Sequence, residues 1–357
     1  MSSQNTINIQ GGVKNYQIEI GSNQLSQNIQ NDSIVVCDEI FAPLLRNMTD
    51  RIILINSAEK FKNLDSAGYI LTSLAEMGAN RKSEILAVGG GVIQDLATFA
   101  AGTYMRGVEW TYFPTTLMAM MDSCVGGKSS LNISEYKNLI GNFYPPNSIK
   151  VDLNFIKTLN ELSIQSGMLE GIKICYAKGQ EEYFDFKRQM NFLDISHMSS
   201  YAEIIFLSLN SKKWFVERDE KDVAERQLLN FGHTFGHALE SSTNYMVPHG
   251  IAIGLGIKAS VNFGSLLAPS NEHIEDLIQQ VDAILSKSKF NFESLVSAFN
   301  DSSFAEAFLR DKKHTSSTLR LILARDKILE VVEVPKDLKY LERATLSMRN
   351  SLESMLT

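Results

Sequence analysis

The most constraining feature of this chain is a rhythm in its first half. Short runs of four or five apolar residues, many of them β-branched, are separated by helix-length segments. The runs are Ser33–Cys37, Arg51–Ile55, Glu84–Val88 and Trp110–Phe113, with Ile149–Asp152 as one more candidate. Continuous apolar runs, unlike alternating ones, belong to strands covered on both faces, and such strands are joined in parallel by crossover helices. From about Leu159 the rhythm changes. Helical patterns occupy Gln165–Lys178, Tyr201–Val216, Glu225–Ser241, Ile251–Leu266 and His273–Ser286, and strand signals return only at Leu319–Leu323 and Ile328–Val334. A chain of 357 residues is too long for one small core. The expected architecture is an α/β domain over residues 1–160 followed by a mostly α-helical domain over residues 161–357.

One strand-to-helix junction reads Gly89-Gly90-Gly91-Val92-Ile93-Gln94-Asp95. Glycines there let backbone N–H groups approach a phosphate, whose charge the helix N-terminus favours. The pattern is not GxGxxG, so the usual dinucleotide fingerprint is absent. A tight turn that binds nothing is the structural alternative.

Three of the six histidines fall close together, at His233, His237 and His249. His233 and His237 are spaced i, i+4 and so share a helical face. Thr234 stands where an HExxH motif has its Glu, which disfavours a zinc protease. Glu170 and Lys173 lie one turn apart in an otherwise apolar helix. A carboxylate with two imidazoles makes a three-ligand zinc site that keeps one position open. An intrahelical ion pair is the alternative for Glu170 and Lys173.

Cations and amides gather around these motifs. The segment Asp122–Lys128 reads as a loop ending in a lysine, and Lys137 and Asn138 follow. Arg226 and Asn230 lie one turn apart before His233, and Lys212, Lys213, Lys312 and Lys313 complete the set. Singly each is an ordinary solvated charge. Beside a metal and a glycine turn they can clamp a doubly anionic substrate. That local arrangement is compatible with the net charge of −7, which argues against nucleic acid or an anionic membrane as the main partner. The first twenty residues hold no signal core, and no apolar stretch approaches the ~18 residues of a membrane span. Cys37, Cys124 and Cys175 form no CxxC pair, which fits a reducing, cytoplasmic setting.

Taken together, Gly89–Pro145, Arg226–Glu240 and His249–Gly254 resemble the 3-dehydroquinate synthases, a family of sugar-phosphate cyclases, and the likeness covers most of the chain. The resemblance implies a Rossmann-like NAD domain and a helical metal- and substrate-binding domain. It implies Glu170, His233 and His249 as ligands of zinc or cobalt. For NAD it implies Asp38, Glu59, Lys62, Gly90, Gly91, Val92, Asp95, Thr115, Thr116 and Lys137, with Phe155, Thr158 and Leu159 in a later stretch. Asp122, Lys128, Lys173, Lys212, Arg226, Asn230 and His237 match catalytic positions. Lys137, Asn138, Lys312 and Lys313 match substrate-binding ones. Arg106 matches an arginine that reaches the neighbouring subunit's substrate phosphate, which implies a homodimer.

The implied reaction converts 3-deoxy-D-arabino-heptulosonate 7-phosphate to 3-dehydroquinate in the shikimate pathway. It proceeds by transient oxidation, phosphate β-elimination, re-reduction and an aldol closure, so NAD is not consumed. Alternatives are a related cyclase acting on an amino analogue or sedoheptulose 7-phosphate, a metal-dependent polyol or alcohol dehydrogenase, and a non-catalytic NAD-binding descendant. The chain departs from the family pattern at four places, one of them the helix Leu169–Cys175, which reads LEGIKIC where the family has AEVIKYG. Ile251 replaces the Glu of HGE, Asn160 replaces a proline, and Tyr136 replaces the glycine before Lys137-Asn138. A missing carboxylate beside His249 predicts looser metal retention, unless Ile251 packs in a core.

Overall fold

The computed structural model describes residues 6–134, 136–265, 267, 270–325 and 328–356. The first five residues of the N-terminal stretch and Leu266, the expected end of one helix, lie outside the described residues. The chain divides into two compact units, one formed by Met1–Leu159 with Gln189–Lys221 and the other by Asn160–Arg188 with Asp222–Thr357. The chain therefore passes from unit to unit three times, after Leu159, Arg188 and Lys221, where the sequence suggests one boundary near residue 160.

The first unit is built on a seven-stranded sheet. A hairpin of β1 (Thr6–Ile9) and β2 (Tyr16–Gly21) forms one edge. The alternation of buried and exposed residues in β1 is that of strands with one wet face. After α1 (Gln24–Asn28) come β3 (Ile34–Asp38), α2 (Ala42–Leu45), β4 (Ile52–Ile55), α3 (Leu64–Glu76), β5 (Glu84–Gly89), α4 (Gly91–Thr103) and β6 (Glu109–Pro114). A small hairpin, β7 (Leu131–Ile133) with β8 (Tyr136–Ile140), precedes β9 (Ser148–Asp152). Every apolar run of the first half is a strand, displaced by no more than a residue at either end.

The parallel strands stand in the order β2-β9-β6-β5-β3-β4. That is the doubly wound order in which the chain winds first one way and then the other, and its reversal lies between β3 and β5. Ligands of such sheets bind beyond the carboxyl ends of the strands at the reversal. Asp38 ends β3 and Gly89 ends β5, so both flank that point.

The next two helices, α5 (Glu161–Lys178) and α6 (Gln180–Met190), begin the second unit before α7 (Ser200–Arg218) rejoins the first. Asn160 caps α5 by accepting from the Ser163 amide at 2.9 Å, which gives its departure from proline a local reason. The second unit continues with α8 (His233–Ser242), α9 (His249–Gly264), α10 (Glu272–Lys287), α11 (Phe292–Ala298) and α12 (Asp301–Leu309). An antiparallel hairpin, β10 (Thr318–Arg325) and β11 (Ile328–Pro335), and α13 (Leu338–Glu353) complete it. Helices α5 and α9 are buried along most of their length, which is why their sequences read as apolar all round.

The expected helix Glu225–Ser241 is two pieces. Glu225–Asn230 is a short 3₁₀ turn, and the chain breaks at Gly232, whose φ of 77° is left-handed, before α8 starts at His233. The break has a packing cause. A Cβ on Gly256 would lie 2.1 Å from the Gly232 carbonyl oxygen, so α9 passes directly against the break. No helix among the described residues is long and apolar enough to cross a membrane.

Candidate active site

In the second unit, three helices bring one carboxylate and three imidazoles together. Glu170 lies on α5 and is 0 % exposed, with the 2 % exposed Lys173 one turn on and paired to it. The alternatives left by the sequence thus coexist, since Glu170 is both ion-paired and turned toward histidines. His233 and His237 lie on one face of α8, and His249 opens α9. The closeness of α9 to α5 depends on Gly250, because a Cβ there would sit 2.3 Å from the Ser166 carbonyl oxygen. Ser166 lies one helical turn before Glu170, so this contact seats His249 against the carboxylate.

The His249 Nε2 is 3.3 Å from Glu170 Oε1, and the His233 Nε2 is 4.0 Å from it. The three imidazoles offer ligand atoms that all lie within 4.8 Å of one another. Imidazole nitrogens and a carboxylate oxygen are the donors zinc and cobalt accept. The residues present therefore fit such an ion.

The three rings differ in charge. Burial lowers the His233 pKa well below the ordinary value, and Lys173 adds to the effect. The packing around His237, and then His249, push it down to about 4, although it is the most exposed of the three. Burial opposes a proton on His249, but hydrogen bonds with Glu170 and Glu240 outweigh it and hold the ring up to about 10. Two neutral imidazoles thus face one charged imidazole.

Around this cluster, Arg226 is buried, and Asn230 donates to the Gln227 carbonyl at 3.1 Å. Lys313 is drawn onto Asp311 at 2.8 Å, and Lys312 beside it is exposed. Asp311 also receives the Thr234 hydroxyl, so the residue after His233 is tied to the lysine turn.

In the first unit, the glycine junction is a strand end and helix cap. Gly90 is the N-cap of α4, and a Cβ there would come within 3.1 Å of Thr116. The Thr115 amide donates to the Gly89 carbonyl at 3.0 Å. Beyond the junction, Lys62 Nζ lies 3.1 Å from Asp95, 2.7 Å from the Asn138 amide oxygen and 3.4 Å from Glu59. Lys137 reaches Glu59 at 3.9 Å. Burial would lower the Lys62 pKa, but Asp95 and Glu59 outweigh it and raise it. Five residues assigned by resemblance, Glu59, Lys62, Asp95, Lys137 and Asn138, thus form one network.

Asp38 caps its own turn by accepting from the Ile40 amide. Phe155 packs edge-on to Phe41 at 5.1 Å, and the Thr158 hydroxyl donates to the Phe155 carbonyl, while Leu159 is half-buried at the unit's end.

Asp122 sits in a π-turn (Ala119–Ser123) and pairs with Lys212 of α7 at 2.6 Å. Ser208 of α7 also donates to the Met121 carbonyl, so the returning segment staples this turn. Lys128 stands over the Phe143 ring at 5.9 Å. Arg106 is exposed on a separate left-handed turn, with φ of 68°. Val92 and Gly91 lie in the first turn of α4.

The sequence reading missed Ser130, which donates twice to Asp95, and two carboxylates of the second unit, Asp311 and Glu240. Glu240 was within reach, because the spacing 233, 237, 240 keeps one helical face. Of the departures, Ile251 is 0 % exposed and packs in the core, and Tyr136 is exposed at the start of β8.

A doubly wound sheet followed by a helical unit carrying a carboxylate–histidine cluster is a two-unit fold, a class shared with solved cyclases and dehydrogenases. The structure is similar to 2-deoxy-scyllo-inosose synthase solved with carbaglucose-6-phosphate, NAD⁺ and Co²⁺, with a TM-score of 0.81, 20% identity and coverage of 97% of this chain and 99% of that one. It is also similar to a probable glycerol dehydrogenase from Sinorhizobium meliloti, with a TM-score of 0.64, 12% identity and coverage of 94% and 97%.

Within that class the chain belongs to the 3-dehydroquinate synthase family, whose N-terminal pattern matches residues 52–166 and whose C-terminal pattern matches residues 167–314. It is 35% identical to the 3-dehydroquinate synthase of Helicobacter pylori over 92% of this chain and 96% of the relative. It is 34% identical to that of Dictyoglomus turgidum over 91% and 93%. Members of the family are phosphate-eliminating lyases.

Proposed function

We propose that this chain converts 3-deoxy-D-arabino-heptulosonate 7-phosphate to 3-dehydroquinate and phosphate, as a cytoplasmic homodimeric enzyme of the shikimate pathway that uses NAD and a zinc or cobalt ion. The observation that carries this reading is the convergence of Glu170, His233, His237 and His249 beside a buried lysine, in a chain of this family. Glu170, His233 and His249 would hold the ion. Asp38, Glu59, Lys62, the Gly90–Val92 turn, Asp95, Thr115, Thr116, Lys137, Phe155, Thr158 and Leu159 would hold NAD. When bound, the two supply reversible oxidation of one hydroxyl and polarisation of its oxygen.

The chain's own residues would do the rest. Lys128, Lys212, Arg226 and Lys313 are cations suited to a carboxylate and a phosphate. Holding both ends of such a substrate fixes the reacting carbon relative to the catalytic groups, and orientation of this kind lowers barriers by several kcal/mol. His237, neutral at pH 7, is the group able to take a proton at a ring nitrogen and return it to the departing phosphate. Lys173 pairs with Glu170, while Asp122 and Lys212 orient one another. Arg106, exposed on its turn, would complete the partner copy's phosphate pocket.

Purified protein supplied with the heptulosonate phosphate, NAD and zinc should release phosphate over many turnovers per NAD, without net rise in NADH absorbance. Stoichiometric NADH formation would instead indicate a dehydrogenase. Phosphate release from sedoheptulose 7-phosphate alone would indicate a sister cyclase.

A further inference from the structure

The carboxylate that the family pattern supplies after His249-Gly250 is absent here, and Ile251 is sealed in the core in its place. A carboxylate nonetheless reaches His249 from another element. Glu240 closes the polar face of α8, three residues after His237 and seven after His233, and its side chain is 11 % exposed. Its Oε2 lies 3.3 Å from His249 Nδ1, on the opposite side of the ring from Glu170, which lies 3.3 Å from Nε2. The His233 ring is held in the same sense, since its Nδ1 lies 3.2 Å from the Phe231 carbonyl oxygen and its Nε2 points to Glu170. Both rings therefore have an acceptor at Nδ1 and present Nε2 to the same carboxylate.

We infer that Glu240 is a positioning residue for His249: it accepts from Nδ1–H, leaves Nε2 as the nitrogen that gives up its proton when a metal binds, and stops the ring from turning out of the cluster. The inference rests on the metal site proposed above and deepens it. A ring whose far nitrogen is committed to a carboxylate loses a rotational and a tautomeric alternative, and its ligating nitrogen becomes more basic. The acceptor comes from α8, the helix that carries His233 and His237. One helix then supplies two imidazoles and the group that aligns the third, and the crossing of α8 with α9 fixes all three together.

The test compares wild type, Glu240→Gln and Glu240→Asp. Zinc affinity is measured by competition with a chelator, and the imidazole nitrogens of His249 are observed by NMR, with His249→Gln giving the assignment. Wild type loaded with zinc should show a proton on Nδ1 of His249 and metal at Nε2. Glu240→Gln should keep its melting temperature without metal, bind zinc about 10–100-fold more weakly and shift the Nδ1 resonance. Glu240→Asp should fall between the two. Unchanged zinc affinity and an unchanged Nδ1 resonance in Glu240→Gln would overturn the inference and leave the metal site standing. Metal at Nδ1 in wild type would overturn it too, without recourse to any variant. A wild type that takes up no zinc would overturn the metal reading, and this inference with it.

Discussion

The charged network around Asp95 and the histidine cluster around Glu170 solve opposite problems. In the first unit, groups of opposite sign meet in pairs. Lys62 has Asp95 and Glu59, Asp95 has two donors on Ser130, and Asn138 closes the ring. Such a network holds its own shape. In the second unit, three imidazoles crowd together, and a proton on one raises the cost of a proton on the next. Attraction alone does not order that cluster. Close helix packing at Gly250 and Gly256, and the carboxylates Glu170 and Glu240, hold the rings where they are. The first region is therefore ordered by its charges, and the second by close backbone packing together with the carboxylates that flank its rings.

That contrast can be broken most severely at His233. His233→Ala should remove bound zinc, and because Lewis-acid assistance is worth several kcal/mol, kcat should fall at least about 10³-fold. Its urea midpoint without metal should barely move, since the fold there rests on packing. Metal content and phosphate release, read together with unfolding, check this, and a large loss of stability would put the imidazole inside the ordering of the backbone.

A middling effect is expected from the other side of the comparison. Asp95→Asn leaves Lys62, whose side chain is 9 % exposed, short of its charged partner. It should cost about 1–3 kcal/mol of unfolding free energy and weaken NAD binding, while zinc affinity stays as in wild type. Zinc affinity that falls in step with NAD affinity would show that the two regions are coupled and that the distinction is false.

The smallest expected effect concerns Asp311, where the second unit pairs opposite charges as the first unit does. Burial would raise its carboxyl, but Lys313 and then the Thr234 hydroxyl outweigh it and hold it below the usual aspartate range. A depressed pKa in the folded state means stability that is present above the unfolded value of about 3.9 and is lost as pH falls through the folded one. Asp311→Asn should therefore flatten the acid limb of the stability curve below that value and leave the neutral region's slope unchanged. An acid limb identical to wild type would remove Asp311 from this account.

The two regions were not equally legible in the sequence. Strand runs such as Glu84–Val88 could be read because a strand buried on both faces has only apolar residues to show, and β5 spans Glu84–Gly89. The histidine face could be read because helical periodicity is local, and the same periodicity extends to Glu240. The break at Gly232 could not, because its cause is Gly256, twenty-four residues away on another helix. Ser130 and Asn132 likewise meet Asp95 and Glu59 only through the β7–β8 hairpin, which has no strong periodic signal of its own. The family likeness supplied the residues of the first network as a set, and nothing in their spacing did so.

The threading of the chain has a consequence for how the molecule is made. Asp122 emerges from the ribosome some ninety residues before Lys212, the partner that pairs with it. During synthesis the first unit must wait, unfinished, while α5 and most of α6 are laid down for the other unit. A gene cut after residue 160 would therefore not yield two self-sufficient halves. The upstream product would lack α7 and the staple on its π-turn, and the downstream product would carry α7 without the π-turn it packs on. Exchange of either unit between relatives would have to move two separate stretches of coding sequence at once, so that any single crossover within the chain would divide at least one unit.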